Sequence, residues 1–168
     1  EARLFLQRSL LFKEKSDAYG YLGMSALGAV DRSAEPGESS FPQADYQEAI
    51  KNYEKALSLG LEKSNSNLYL TALSDLGLSY WMQGQYAKAD EYYLKRIEVN
   101  PEFTFFPRHF VAIDYFDRFN KPREALDILL LAPGQAHNDF QKKFLYEVYA
   151  RIARLYAYFE DEQNTEKY

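Results

Sequence analysis

Along residues 68 to 99, apolar and small side chains recur at intervals of three and four and not of two, the period of a helix face and not of a strand. Gly84 interrupts the pattern and divides it into two helices of roughly 12 to 15 residues, too short to be stable alone, so each must bury a face on a neighbour. The stretch LSDLGLSYWMQGQYAKADEYYLKRIEVNP, residues 73 to 101, sets a register of Leu76, Gly77, Tyr80, Gly84, Tyr86, Ala89, Tyr93 and Pro101. Gly77 and Ala89 fall where the two helices of a hairpin approach, and Gly84 closes the turn between them. Tyr80, Tyr86 and Tyr93 fill the space between one hairpin and the next. Pro101 ends the second helix because it cannot extend the hydrogen-bond ladder.

The register recurs on both sides. Upstream, YQEAIKNYEKALSL supplies Tyr46, Ala49, Tyr53, Ala56 and Leu57, and its partner helix SDAYGYLGMSALG supplies Tyr19, Leu22 and Gly23. The segment between those two helices is roughly 14 residues longer than its counterpart and contains DRSAEPGESSFPQAD, a loop composition with Pro36 and Gly37. It reads as tolerated disorder or as a partner-binding or regulatory loop. Downstream, Phe116, Asn120, Pro122, Ala125 and Leu129 keep the register, with Pro122 near a helix start where its missing N–H does little harm. The last segment matches through Tyr149, Ile152, Ala153, Tyr156 and Thr165, and EARLFLQRSL at the beginning places Ala2, Leu6 and Leu10 on one helix face.

These residues resemble the tetratricopeptide repeat, a helix-turn-helix unit of about 34 residues with Leu-Gly, Tyr, Gly-x-Tyr, Ala, aromatic and Pro at set places. Two departures stand out in the best block: Leu73 where the family often has Trp, and Arg96 where it prefers a small residue. The resemblance implies an all-α helix-turn-helix repeat solenoid, a right-handed superhelix over residues 1–168. Its expected parts are the second helix of a truncated repeat over 1–15, a repeat over 16–63 with a loop insert near 31–44, the best-matching repeat over 70–103, a divergent repeat over 106–139 and a truncated repeat over 146–168. About six extra residues precede the second and fourth repeats and are expected to lengthen their first helices. Neither end offers a polar closing helix, and the chain begins without Met, so it reads as a piece of a longer protein.

Composition narrows the function. The content of 46% hydrophobic and 27% charged residues fits a soluble globular chain, and 15 Tyr, 12 Phe and one Trp make rings its main packing material. A net charge of −5 argues against nucleic acid as a partner, because phosphates need a basic face. The longest apolar run, ILLLA, is far short of a membrane span, so no direct membrane insertion is expected. The absence of Cys removes thiolate chemistry but fits cytoplasmic and periplasmic or other extracytoplasmic compartments alike.

Candidate binding residues follow from the resemblance, which places first helices on the concave face of the superhelix. The register then puts Tyr21, Asp75, Trp81, Met82, Phe110, Asp114, Asp117, Arg118, Arg151, Arg154 and Tyr158 in a groove. The carboxylate clamp of one family subgroup, built of Lys and Asn, is missing, since its places hold Gly20, Met24, Ser74, Leu78, Phe110 and Asp114. What remains is an aromatic floor near Trp81 and Phe110, an acidic set of Asp75, Asp114 and Asp117, and a basic set of Arg118, Arg151 and Arg154. Such a surface suits a peptide or helix with apolar anchors and mixed charge. A purely structural account competes: Trp81 and Met82 packed between helices, Arg151 paired with Glu147 and Arg118 with Asp114 at i,i+4 spacing.

Catalysis finds no support in the sequence. His109 occupies a core position and is expected to be a satisfied structural histidine; His137 is remote from it, and no nucleophile-base arrangement, phosphate loop or metal-ligand spacing occurs. No catalytic, cofactor or metal residue is therefore assigned. The sequence supports a protein-protein interaction module, with two alternatives: a regulatory or substrate-positioning arm of a larger enzyme, membrane-bound or not, and a scaffold that forms homo-oligomers through its repeat ends.

Overall fold

The computed structural model describes residues 15–28, 45–102 and 104–159, and all regular structure among them is helical. The expected helix over 1–15 (apart from Lys15), the insert near 31–44 and the end of the last repeat, Thr165 included, lie outside the described residues. The elements are α1 (Lys15–Leu27), α2 (Tyr46–Ser58), α3 (Leu61–Ser64), α4 (Ser66–Met82), α5 (Tyr86–Val99), α6 (Phe105–Asp117), α7 (Pro122–Leu129), a 3₁₀ turn (Pro133–Gln135), α8 (Asp139–Lys143) and α9 (Leu145–Tyr158). This is the all-α helix-turn-helix architecture the register predicts. The chain divides into two compact units, residues 1–92 and 93–168, the division falling within α5.

In the first unit α1 and α2 form a hairpin. Ala49, Tyr53 and Ala56 turn one face of α2 into the core, where all three are fully buried. Gly23 of α1 lies against the Tyr53 ring so closely that a Cβ would stand 2.8 Å from its carbons, which is why this register position holds glycine. The ends of the hairpin are tied directly: the Asp45 N–H donates to the Ala26 carbonyl at 2.9 Å, and the Asp45 carboxylate caps α2 by accepting from the Glu48 N–H at 2.8 Å. Ala26 and Asp45, on either side of the insert, are therefore adjoining backbone positions. Asn65 caps α4 by accepting from the Leu68 N–H, and α4 runs for 17 residues, longer than the register block requires. At its end Gly84, at φ 73°, lets the N–H groups of Gly84 and Gln85 close on the carbonyls of Trp81 and Tyr80, a Schellman ending.

The second unit is centred on α6, α7 and α9, whose Phe105, Ala125, Leu129, Val148 and Ile152 are fully buried in one core. Asn120, at φ 51°, stands at the place equivalent to Gly84, a left-handed turn position that asparagine tolerates better than most residues. Pro122 begins α7 as predicted. The extra residues before the fourth repeat do not lengthen α9: they form the separate α8, started by an Asn138–Gln141 capping box and ended at Phe144.

Candidate partner-binding surfaces

In the first unit the sequence-derived residues separate by burial. Tyr21 and Met24 project from α1 and Met82 from the end of α4, and all three are exposed. Trp81 is half-buried and meets Tyr86 edge-on at 5.8 Å, in keeping with the packed reading. Asp75 is not open to a partner: it is buried, and its Oδ2 accepts the Tyr53 hydroxyl at 2.6 Å. Its register position faces α2, which supplies the donor that makes burial of the carboxylate tolerable. A second phenol-carboxylate pair lies nearby in the chain, where the Tyr80 hydroxyl donates to Glu54 Oε1 at 2.5 Å and the Tyr80 ring stacks on Tyr92 at 5.6 Å. Burial, and then the Glu54 carboxylate, hold the Tyr80 phenol above its ordinary pKa.

In the second unit α6 and α9 bring most of the candidates together. Arg118 reaches back one turn to Asp114 at 2.6 Å, the i,i+4 pair expected from spacing. Asp114 is 0% exposed, so its role is to anchor Arg118 and not to meet a partner. Arg151 does not turn to Glu147 as its spacing predicts but reaches Asp117 of α6 at 3.5 Å. Arg154 lies 5.3 Å from the centre of the Phe116 ring, and Phe116 meets Tyr158 edge-on at 5.8 Å. Tyr158 is exposed, so the outer edge of this surface alternates rings and guanidinium groups. Phe110 is half-buried and stacks on Tyr93 at 5.6 Å.

His109 lies in the same unit, stacked near Phe105 at 6.5 Å and edge-on to Phe110 at 6.0 Å. It is a core histidine as expected but not a satisfied one: among the described residues its Nδ1 has no hydrogen-bond partner, and its Nε2 is 3.9 Å from the Glu147 carboxylate. Burial, with a smaller contribution from the Arg151 charge, lowers its pKa to about 4, which leaves a neutral ring at pH 7.

Two features of these surfaces escaped the sequence reading. Phe116 serves there only to keep the register yet carries the Arg154 contact, and Tyr146, 82% exposed, adds a ring to α9 one position before Glu147. An i+4 line through Tyr146, Ala150, Arg154 and Tyr158 would have found it, since all four are exposed.

Paired helices joined by tight turns, with small residues at the crossings and tyrosines between, define a helical-hairpin repeat protein. Residues 37–102 match the family model described as Tetratricopeptide repeat. The matched segment contains α2 to α5. No curated protein matches the chain. Domains of this family generally mediate protein-protein interaction and are typically not catalytic. Among the described residues no helix is long and apolar enough to cross a membrane.

Proposed function

We propose that the protein is a non-catalytic interaction module that holds a peptide or helix of a partner protein against the first helices of its hairpins, the surface that lines the groove in this family. The observation that carries this reading is the α6–α9 surface of the second unit, where Phe116, Arg154 and Tyr158 form a ring-cation-ring series ending in an exposed tyrosine. Exposed aromatic and arginine side chains are the residue types that anchor partners, because they bury large areas while fixing few rotatable bonds. Asp117 and Arg151 satisfy one another within the chain, so partner choice rests on the rings and on Arg154, not on a large net charge.

The test places a photoreactive phenylalanine derivative at Tyr158 of the full chain and, as a control, at Glu124, an exposed residue of α7, the second helix of that hairpin. A crosslinked protein obtained at Tyr158, absent at Glu124 and lost when Arg154→Glu is added, is the expected result. Equal capture at both positions, or capture indifferent to Arg154→Glu, overturns the reading.

A further inference from the structure

We infer that the partner segment held at the α6–α9 surface is an amphipathic α-helix that lies along α9 and turns a carboxylate to Arg154, which rests on the interaction reading above. Tyr146, Ala150, Arg154 and Tyr158 follow one another at four-residue steps in α9, and all four are exposed. Such a row is one of the ridges along which helices pack, and from Tyr146 to Tyr158 it covers about 18 Å of helix. Tyr146 is 82% exposed and Tyr158 56%, so two rings stand open to solvent at its ends with a methyl group and a guanidinium between them. Open rings so spaced suit the apolar side chains of a partner helix, which recur every three or four residues.

The charge of the occupant follows from what surrounds Arg154. Its helical neighbours at i−4, i−3, i+3 and i+4 are Ala150, Arg151, Ala157 and Tyr158, none of them acidic. On α6, Asp114 is held by Arg118 at 2.6 Å and Asp117 by Arg151 at 3.5 Å. The Arg154 guanidinium lies instead on the Phe116 ring, and among the described residues it has no carboxylate partner. Lys121 and Arg123 also lie on rings, those of Tyr115 and Phe159, but each has an acid at i+3 or i+4, Glu124 or Asp127. Arg154 is the cation for which the chain supplies none at helical spacing, and a carboxylate brought by the partner completes the row. The backbone of the occupant decides its conformation. An extended segment turns N–H and C=O groups to the surface it covers, and covering them without partners is costly. Amide side chains able to satisfy both kinds are missing, because neither α6 nor α9 contains Asn or Gln. A helix satisfies its own backbone and asks only for side-chain contacts.

The test puts a photoreactive phenylalanine derivative at Tyr146 in one copy of the full chain and at Tyr158 in another, and maps by mass spectrometry the partner residue joined to each. Along a partner helix the two attachment points fall about 12 residues apart, at about 1.5 Å each; along an extended segment they fall about five or six apart. The expected result is one partner protein joined at both positions, with roughly ten or more residues between the attachment points and an Asp or Glu among them. Arg154→Met should reduce capture at Tyr146 by about tenfold, and Arg154→Lys should restore most of it, with circular dichroism confirming that both variants fold. Attachment points closer than this, or on different proteins, overturn the helix and leave the interaction reading in place. Undiminished capture by folded Arg154→Met overturns the carboxylate, and a second copy of this chain as the captured protein overturns the inference alone. No capture at Tyr158 overturns the interaction reading and the inference together.

Discussion

Acid should unfold the second unit through His109 before the bulk of its carboxylates titrate. The ring is enclosed by Phe105 and Phe110, its Nδ1 has no acceptor among the described residues, and its pKa falls from 6.5 to about 4. Glu147, 3.9 Å from Nε2, pulls the other way, but its carboxylate is half-exposed and screened by water, so burial prevails. A histidine whose folded pKa is depressed is neutral in the folded chain and binds a proton once unfolded. Its contribution is fully present above pH 6.5 and is lost as pH falls from 6.5 towards 4. One pKa unit corresponds to roughly 1 kcal/mol, so the two pKa values imply a loss of roughly 1 kcal/mol at pH 5.5 and roughly 2–3 kcal/mol at pH 4.5. Urea denaturation of the wild type and of His109→Phe at matched pH isolates the effect. Phenylalanine suits the aromatic surroundings, and any packing cost it brings is independent of pH and cancels in the slope. The stability of the variant should rise relative to wild type by roughly 2–3 kcal/mol between pH 7.5 and pH 4.5. A change below about 0.5 kcal/mol would show that His109 is protonated or solvated in the folded state and refute the reasoning.

Gly23→Ala should destabilise the first unit by about 1–3 kcal/mol in thermal or urea melts, because its Cβ would meet the rigid Tyr53 ring at 2.8 Å; a loss under about 0.5 kcal/mol would mean that the hairpin opens freely there. Tyr53→Phe removes the donor to the buried Asp75 and should cost about 1.5–3 kcal/mol, with Tyr53→Phe, Asp75→Asn recovering part of the loss. Equal stability of Tyr53→Phe and wild type would show that Asp75 is solvated and restore it as a surface residue.

The fold was legible because its determinants are local. Gly84 and Asn120, at φ 73° and 51°, announce turns by conformational tolerance alone, and Pro122 fits the first position of α7 whatever surrounds it. Ala49, Ala56 and Tyr53 declare a buried face by spacing. Where the extra residues went was less legible. Those before the best block extend α4, whereas those before the last repeat become α8, because Asn138 and Gln141 cap a new helix start and Phe144 breaks its continuity with α9.

Side-chain partners resisted the same treatment, and the reason is competition. Spacing along α9 offers Glu147 to Arg151, worth only about 0.2–0.5 kcal/mol on an exposed helix, so an acceptor on another helix can displace it. Asp117 of α6 does so, and Glu147 is left facing His109. For Asp114 and Arg118 the local pair survives because burial of Asp114 raises the cost of any alternative. The same competition explains why Asp75 reads as a groove acid but folds as a buried acceptor: register locates the residue, and only α2 supplies the phenol that claims it. Arg96 reverses the case. Its departure from the family's small residue was visible in the sequence, but that it lies buried against the Asn100 and Glu102 carbonyls became visible only in the structure. Repeat positions therefore report architecture faithfully, whereas chemistry specific to this chain collects where a side chain either breaks the register or loses its local partner to a neighbouring helix.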